Sequence, residues 1–479
     1  MLENVITRFA PSPTGFLHLG SARTALYNFL FARKNNGKFI LRIEDTDKER
    51  SKREFVDDIV ENLKWLRLNF DEIVKQSDRS EIYKKVIEEL LEKDKAYKCF
   101  CSKEKLEEKR QEQILKGEAP IYQGICRNLS KEEVDINRAK NIPYIIRLKI
   151  TLQKITFVDL LRGEIDVVAE QLGDFVIAKS KTEPLFHLAT PVDDHFMGIT
   201  HIIRGADHIS NASKQILIFK AMGWDIPVFA HIPLILGGEG GKLSKRQGAK
   251  SIGDYKVEGY LPEAINNFLV HLGWHSKTDK ELFSLEEMIE EFDLKRVQKK
   301  AAVCNLNKLT WVNKFFIKKK LAGEIIDKIN LTDFVIKEGD EYKAPNGIVY
   351  NKEQMLKIIE LGKERANTLN DILKTASFFF KNFDYDKELL KWKSFSYEEI
   401  EISLEKIYKA FSELSDNTFT EEKLKEILDS LNSDKGLSYF PLRVALTGLS
   451  ASPPPVEIAL IIGKEYTIKR IGRAIDKLK

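Results

Sequence analysis

A short loop near the N-terminus has the composition of a phosphate-binding site. The loop, residues 12–21, lies between an apolar run at residues 5–10, which predicts a strand, and a segment with helical spacing. Backbone N–H groups and the dipole at a helix N-terminus favour an anion. Gly15 and Gly20 permit close approach of a ligand, and His18 adds a hydrogen-bond donor. Each of these residues alone would also fit a loop with a purely structural role, but residues 12–21 together predict a phosphate-binding site.

A second run combines glycines with cations. Four of the five residues from Gly237 to Gly241 are glycine, and Lys242, Ser244 and Lys245 follow them. Glycines permit a hinge, and cations beyond a hinge form a mobile clamp for a polyphosphate. The alternative is a solvated basic loop, which is the usual role of such a run. The first motif in the same chain favours the clamp.

Alternating strand and helix patterns predict how the first loop is positioned. Ser21 is the expected N-cap of a helix, and residues 22–30 place apolar side chains on one face of it. Residues 38–44 predict a strand buried on both faces, and residues 51–67 predict another helix. This alternation is typical of a parallel α/β sheet with right-handed crossovers.

Composition limits the class of protein. The 479 residues are 43% hydrophobic and 31% charged, which indicates a globular chain of about three domains. A net charge of +4 means that any polyanion site must be local. Apolar runs are far shorter than the roughly 18 residues of a membrane span, and the N-terminus lacks the features of a signal peptide. With only four cysteines, we expect a cytosolic protein with reduced thiols.

Four longer motifs carry a family resemblance. The strings RFAPSPTGFLHLGSARTAL (residues 8–26), FILRIEDTD (39–47), HIIRGADHISN (201–211) and LRVALTG (442–448) resemble the bacterial glutamyl-tRNA synthetases. His18 to Ser21 is similar to the HIGH motif of class I aminoacyl-tRNA synthetases, and Lys242 to Arg246 to their KMSKS motif. The resemblance covers essentially the whole chain, with the motifs in the family's order.

The resemblance implies a multidomain α/β plus α fold. A Rossmann-type parallel-sheet catalytic domain, with an α+β insertion, would precede an all-helical C-terminal anticodon-binding region. The implied domains are the first catalytic half (1–97), the acceptor-end-binding insertion (98–190), the second catalytic half (191–250), a stem-contact helical region (251–315) and the anticodon-binding domain (316–479).

The resemblance also implies the ligands: ATP with Mg²⁺, L-glutamate and tRNA(Glu). Glutamate would be activated to glutamyl-adenylate and passed to the 2′-hydroxyl of the terminal adenosine. The implied catalytic residues are His18, Lys242 and Lys245. The implied ATP-binding residues are Pro11, Ser12, Pro13, Thr14, Gly15, His18, Gly20, Ser21, Leu234, Ile235, Ser244 and Lys245. The implied glutamate-binding residues are Arg8, Ser12, Glu44, Phe186, Thr190 and Arg204.

Two of these positions depart from the family pattern. The family usually has Tyr at position 186 and often Asn or Val at position 190, where this chain has Phe186 and Thr190. The change at position 186 removes one expected hydrogen bond to the substrate. We expect Thr190 or a water molecule to replace it.

A cysteine group resembles the zinc site of some family members. Cys99, Cys101, Tyr122 and Cys126 would supply three thiolates and a phenol for a tetrahedral site. Asn128 stands where the His of another version of the site would be. The alternative is three reduced cysteines in an insertion that has lost its metal, and the two alternatives stay open, with zinc slightly favoured.

RNA contacts are expected on lysine-rich helical faces, such as Lys318 to Lys320, although such faces are more often merely solvated.

The expected enzyme is a monomer. An enzyme that also or only charges tRNA(Gln), for later amidation, is the main alternative. An inactive RNA-binding paralogue is less favoured, since His18 and Lys245 are both present. A nucleotidyltransferase that acts without RNA would leave the long helical C-terminal region without a purpose.

Overall fold

The chain divides into two compact units. Unit 1 comprises Met1–Val257 and Pro262–Val312, and unit 2 comprises Glu258–Leu261 and Asn313–Lys479. The computed structural model describes residues 4–151, 154–237 and 250–479, so the predicted site residues Lys242, Ser244 and Lys245 lie outside the described residues. Within the described ranges, no helix combines the length and apolar character that a bilayer crossing requires.

Unit 1 alternates strands and helices along the chain. Its strands are β1 (Ile6–Phe9), β2 (Lys38–Ile43), β3 (Glu72–Lys75), β4 (Ala96–Cys99), β5 (Ile145–Leu148), β6 (Lys154–Asp159), β7 (Gly163–Val168), β8 (Val176–Ser180), β9 (Glu183–Pro184), β10 (His201–Gly205), β11 (Val228–Ile232), β12 (Ile235–Leu236) and β13 (Ala302–Val303). Its helices are α1 (Leu19–Lys34), α2 (Arg53–Trp65), α3 (Ser80–Glu92), α4 (Lys103–Leu115), α5 (Lys131–Ala139), α6 (Phe186–Phe196), α7 (Ile209–Met222), α8 (Ile252–Val257), α9 (Pro262–Val270) and α10 (Leu285–Glu291).

The central sheet of unit 1 has seven strands in the order β3-β2-β1-β10-β11-β6-β7. All neighbouring pairs are parallel except β6 and β7, which form an antiparallel hairpin. The strand order reverses between β1 and β10, and ligands of open α/β sheets bind at the carboxyl ends of strands beside such a switch point. The predicted parallel sheet is confirmed, and the pairing of β1 with β10 joins segments that are distant in sequence.

The first helix begins earlier than the sequence pattern predicted. Helix α1 begins at Leu19, and its N-cap is His18, whose ring accepts hydrogen bonds from the backbone N–H groups of Gly20 and Ser21. The prediction of Ser21 as N-cap was wrong, because an imidazole nitrogen acts here in place of the usual hydroxyl. Strand β2 is buried along all but its first residue, as the apolar run predicted.

The region inserted between β4 and β10 contributes to two sheets. A separate antiparallel sheet has the order β4-β5-β8-β9. The β6–β7 hairpin instead joins the central sheet, where Asp159 of β6 is in register with Phe229 of β11. Part of the expected insertion therefore belongs to the central sheet, and this places Asp159 beside β11, the neighbour of β10.

Unit 2 is mainly helical. Its helices are the C-terminal part of α11 (Leu306–Lys319), followed by α12 (Ala322–Ile325), α13 (Lys352–Lys363), α14 (Ile372–Thr375), α15 (Tyr397–Glu413), α16 (Glu421–Leu431), α17 (Lys435–Thr447) and α18 (Pro455–Leu478), which is kinked at Gly463. A small antiparallel sheet, β14 (Ile336–Glu338), β15 (Glu341–Lys343) and β16 (Val349–Asn351), adds to the expected helices. Its strands were not predicted, since each has three residues and only β15 and β16 bury a side chain, that of the central tyrosine.

Candidate active site

A pocket of about 410 Å³ lies where β1, β10 and the start of α1 meet, at the switch point of the central sheet. Its lining brings together most of the predicted ATP and glutamate residues: Arg8, Pro11, Ser12, His18, Gly20, Ser21, Glu44, Phe186, Thr190, Arg204, Leu234 and Ile235. Of the predicted loop, Pro13, Thr14 and Gly15 are described but do not line the pocket.

His18 forms one wall of this pocket at the start of α1. Its Nδ1 accepts hydrogen bonds from Gly20 N at 3.1 Å and from Ser21 N at 3.3 Å. A nitrogen that accepts carries no proton, so the neutral ring is protonated at Nε2, which donates to Ser21 Oγ at 3.0 Å. The proton of His18 therefore lies beside the positive end of the helix dipole, where a phosphate would bind.

The segment that follows the undescribed residues 238–249 is fixed to the His18 loop. His18 and Ser251 form an antiparallel β-bridge, and Ile252 N donates to Leu17 O over 2.7 Å. Leu17 N in turn donates to Asp58 Oδ2 of α2. On the other side, Leu236 O accepts from Cys304 N in the pairing of β12 with β13. The described residues on both sides of 238–249 are thus held by backbone hydrogen bonds.

Buried charges lie on the floor of the pocket. Asp194 Oδ1 accepts from Arg8 Nε at 3.0 Å and from Arg42 Nη1 at 2.6 Å, and Arg42 also donates to Glu44 at 3.1 Å. Burial alone would raise the pKa of Asp194, but the two guanidinium groups outweigh burial and lower it. Burial likewise opposes the charge of Arg42, yet Asp194, Glu44 and Asp193 together raise its pKa. Arg8 and Arg42 are therefore matched by carboxylates.

Glu44 is the carboxylate of this group that faces the pocket. Its Oε1 accepts from Thr190 Oγ1 at 3.2 Å as well as from Arg42. Burial raises the pKa of Glu44, and the positive charges of Arg42 and Arg8 offset part of that effect. Because the Thr190 hydroxyl proton is donated to Glu44, Thr190 can accept a hydrogen bond from a ligand but has no proton left to donate.

Arg204, at the end of β10, differs from the other two arginines. Its Nε contacts His231 Nε2 at 3.1 Å, its Nη1 donates to Gln215 Oε1 at 2.7 Å, and its Nη2 donates to His208 O at 3.3 Å. All three partners are neutral acceptors. Burial, with the positive charge of Arg8 close by, lowers the pKa of Arg204 to about 9. Among the described residues, no carboxylate forms an ion pair with Arg204 that could offset this effect of burial.

Sequence reasoning missed several residues that build the site. Arg42, Asp193, Asp194 and His231 are fully or almost fully buried, and none was assigned a role. Asp193 accepts from Arg79 Nε at 2.6 Å, and also from Tyr83 and Gln76, at the outer side of the arginine group. A signal did exist for Arg42, since it interrupts the apolar run of a strand predicted to be buried on both faces, and a buried charge is unfavourable unless it is paired.

A second pocket adjoins the first. It has a volume of about 840 Å³ and shares Ser12, Glu44, Phe186 and His208 with the first pocket. From there it extends along the inserted region, where Lys179 and residues 182–185 line it. The small ligand pocket therefore opens directly onto the inserted part of unit 1.

Comparison with known proteins identifies the family. The family profile "tRNA synthetases class I (E and Q), catalytic domain" matches residues 4–311, and the profile "Anticodon binding domain" matches residues 331–475. The curated glutamate–tRNA ligase 2 of Thermoanaerobacter pseudethanolicus is 42% identical over 99% of this chain and 98% of its own length. The glutamate–tRNA ligase of Aquifex aeolicus is 41% identical over the full length of both chains. This chain belongs to the class I glutamate–tRNA ligases.

A solved structure agrees with this assignment. The crystal structure of a glutamate tRNA ligase from Elizabethkingia meningosepticum, in complex with its amino acid, is 36% identical, covers 100% of both chains and has a TM-score of 0.89. The resemblance, fold class and enzyme class predicted from the sequence are confirmed for this glutamate–tRNA ligase family member. The individual site residues and the domain boundaries stay predictions.

The cysteine group of this ligase is compact. The Sγ atoms of Cys99, Cys101 and Cys126 lie within 4.8 Å of one another, and the Tyr122 hydroxyl lies 3.3 Å from Cys99 Sγ and 3.7 Å from Cys101 Sγ. A tetrahedral zinc with bonds of about 2.3 Å needs sulfur atoms about 3.8 Å apart. The separation of 3.5 Å between Cys101 Sγ and Cys126 Sγ is close to that value. The number, type and spacing of these donors fit zinc.

Proposed function

We propose that this chain ligates L-glutamate to tRNA(Glu), in two steps that share the pocket at the switch point. Glutamate and ATP would form glutamyl-adenylate and pyrophosphate. The 2′-hydroxyl of the terminal adenosine of the tRNA would then attack the carbonyl of the adenylate, forming the ester and releasing AMP and a proton. The observation that carries the glutamate assignment is Arg204, a buried pocket cation that donates hydrogen bonds to three neutral groups, His231, Gln215 and the His208 carbonyl.

The first step needs positioning rather than a protein nucleophile. The α-carboxylate of glutamate is ionised at neutral pH and can attack the α-phosphate of ATP directly. His18 and the N-terminal N–H groups of α1 would bind the triphosphate, with adenine near Gly20 and the backbone of Leu234 and Ile235. Mg²⁺ would accompany ATP, and Lys242 and Lys245 would neutralise the charge that grows as pyrophosphate leaves.

Selection of glutamate would depend on three charged groups of the pocket floor. Arg204 and Arg8 would bind the side-chain carboxylate, and Glu44 the ammonium group, with Ser12 as a further contact. A guanidinium matches both oxygens of a carboxylate, whereas a glutamine amide would leave the charge of Arg204 unmatched in a buried site. Glu44 suits the ammonium because it is the carboxylate that lines the pocket, and a bound ammonium would add to the positive charges of Arg42 and Arg8 that oppose the rise of its pKa by burial.

The second step would bring the acceptor end of the tRNA into the adjoining pocket. That pocket shares Ser12, Glu44 and Phe186 with the glutamate site and is lined further out by the inserted region. The mainly helical unit 2 would read the anticodon, as the family profile of its residues 331–475 suggests. Lys318, one of the expected phosphate contacts, is paired with Glu364 at 2.6 Å, so its binding to RNA would require that ion pair to open.

We also propose a structural zinc held by Cys99, Cys101, Cys126 and Tyr122. Zinc bound there would cross-link the loop after β4 to the segment around Cys126, and it would take no part in the reaction. Metal analysis of protein purified without added zinc tests this proposal, with Cys304→Ser as a control outside the group. About one zinc per chain, lost in Cys101→Ser only, is expected, whereas a ratio near zero in the unaltered chain would reject the site.

Charging assays decide the tRNA partner. The unaltered chain is assayed with glutamate, ATP and purified tRNA(Glu) or tRNA(Gln) in parallel. We expect charging of tRNA(Glu); no charging of either tRNA would overturn the function, and charging of tRNA(Gln) alone would overturn the tRNA assignment.

We propose that the enzyme works as a monomer in the cytoplasm, and sedimentation of the purified chain would test the oligomeric state.

A further inference from the structure

A buried aspartate and histidine lie behind Arg204, which lines the pocket, and neither of the two lines it. Asp159 is 1% exposed and His231 is fully buried. Asp159 Oδ1 accepts from the backbone N–H groups of Leu161 and Arg162, at 2.9 and 3.0 Å. Asp159 Oδ2 accepts from His231 N at 3.0 Å and contacts His231 Nδ1 at 2.7 Å. The carboxylate therefore has four donors, and the imidazole is one of them.

These contacts determine which ring nitrogen of His231 carries the proton. A carboxylate only accepts, so Nδ1 is protonated and donates to Asp159. Nε2 then has a free lone pair, and this lone pair accepts from Arg204 Nε at 3.1 Å. Burial lowers the pKa of His231, and the positive charge of Arg204 acts in the same direction. The ring is thus neutral, with an acceptor directed at Arg204.

We infer that Asp159 and His231 are positioning residues that hold Arg204 in place without neutralising its charge. This inference rests on the proposed binding of glutamate by Arg204. A carboxylate in direct contact with Arg204 would also orient it, but it would compete with the carboxylate of the substrate. A neutral imidazole orients the guanidinium and keeps the negative charge of Asp159 one side chain further away.

The other contacts of Arg204 follow the same principle. Gln215 Oε1 and the His208 carbonyl are also uncharged acceptors, so these three hydrogen bonds from the guanidinium leave its charge for a ligand. Arg8 provides the contrast within the same pocket, because it donates to the carboxylate of Asp194. Of the two arginines proposed to bind glutamate, Arg8 is therefore matched by a carboxylate of the protein, and Arg204 is left for the substrate carboxylate.

Two substitutions at position 231 separate the two hydrogen bonds of the ring. Asn places a donor near the position of Nδ1 but has no acceptor at that of Nε2, so His231→Asn keeps the bond to Asp159 and loses the bond to Arg204. Gln reaches the Nε2 position, so His231→Gln keeps an acceptor for Arg204. We expect His231→Asn to raise the KM for glutamate on the order of 10- to 100-fold, with the KM for ATP within about twofold of the unaltered value. We expect His231→Gln to restore most of the affinity for glutamate.

The assay is tRNA charging with glutamate and ATP varied in turn, supported by a melting temperature for each variant. An unchanged glutamate KM in His231→Asn would overturn the inference, and so would a parallel rise of both KM values, since that would indicate a general structural role. An unaltered chain that charges no tRNA with glutamate would instead overturn the proposed function.

A measurement on the unaltered chain does not depend on how the variants fold. In protein labelled with ¹⁵N-histidine, the signals of His231, assigned by their absence in His231→Gln, report which nitrogen is protonated. We expect the neutral Nδ1–H form at pH 7. A ring protonated at Nε2, or at both nitrogens, would contradict the arrangement.

Discussion

Arg8 Nε donates a hydrogen bond of 3.0 Å to Asp194 Oδ1, and both side chains are almost completely buried. Arg42 binds the same oxygen, so this carboxylate neutralises part of two positive charges. Arg204 lines the same pocket and is equally buried, but it has no such ion pair among the described residues. The two arginines predicted to bind glutamate are therefore electrostatically different.

Asp194 should contribute to stability as well as to the shape of the pocket. Asp194→Asn removes a negative charge beside the buried Arg8 and Arg42. Removing one partner of a buried ion pair costs about 3–5 kcal/mol of folding free energy. We expect a corresponding loss in the free energy of unfolding, measured by urea denaturation. Asp57→Asn is the matched control, because its ion pair with Arg53 is exposed and should contribute less than about 1 kcal/mol. Equal, small effects of both substitutions would contradict this account.

Lys245 should act on the phosphates of ATP. Lys245→Ala is expected to slow adenylate formation on the order of 100-fold or more while it leaves the KM for glutamate nearly unchanged, since the charge is needed as pyrophosphate leaves. Single-turnover assays in the presence of tRNA measure this step. Lys250→Ala is the control. It removes a lysine that follows closely in the sequence and whose ammonium lies 6.0 Å from the Tyr255 ring centroid, and this variant should form the adenylate at close to the unaltered rate. Normal kinetics in Lys245→Ala would remove its catalytic role.

Phe186 lines the pocket at the first turn of α6. The structure leaves Thr190 able to accept, but not to donate, a hydrogen bond at the glutamate site, since its proton goes to Glu44. Phe186→Tyr would add a donor, and we expect the KM for glutamate to fall several-fold. Phe196→Tyr, at the exposed end of the same helix, is the control. An unchanged KM would show that no hydrogen bond is missing at position 186.

Acid should destabilise unit 1. Six of the eight histidines have a pKa lowered mainly by burial, and for two of them, His187 and His208, it falls to about 4. A histidine with a low pKa in the folded state binds its proton more readily when unfolded, so its stabilising contribution is present above about pH 6.5 and is lost as the pH falls toward 4. The melting temperature should therefore drop between pH 7 and pH 5, and less so in His187→Gln. A flat profile would contradict the burial of these rings.

The sequence alone was sufficient to predict the site residues that lie within contiguous motifs. The loop around His18 is predicted to bind phosphate because of local properties, namely glycines and a helix start, and both can be recognised without a fold. The neighbours β1 and β10 are far apart in the chain, but each carries its arginine inside a quoted motif. The position of Arg8 and Arg204 in one pocket could therefore be expected from the resemblance.

Contacts that form only by packing could not be predicted in this way. His231 and Asp159 lie on β11 and β6, and nothing in their local sequence distinguishes a hydrogen-bonded pair from two ordinary strand residues. The helix cap was missed for a related reason, since His18 was considered only as a catalytic and ATP-binding residue and Ser21 as the cap, whereas the ring of His18 is the observed cap. The β14–β16 sheet was missed because its strands are too short to show a period.

The most direct test of the account compares glutamate with glutamine in Arg204→Gln. We expect the kcat/KM for charging with glutamate to fall on the order of 100-fold, while the value for glutamine changes little, so that the preference for glutamate largely disappears. Arg33→Gln, which removes a partly exposed cation paired with Asp71, should keep the preference. If Arg204→Gln still selects glutamate as strongly as the unaltered chain, then Arg204 does not recognise the substrate carboxylate.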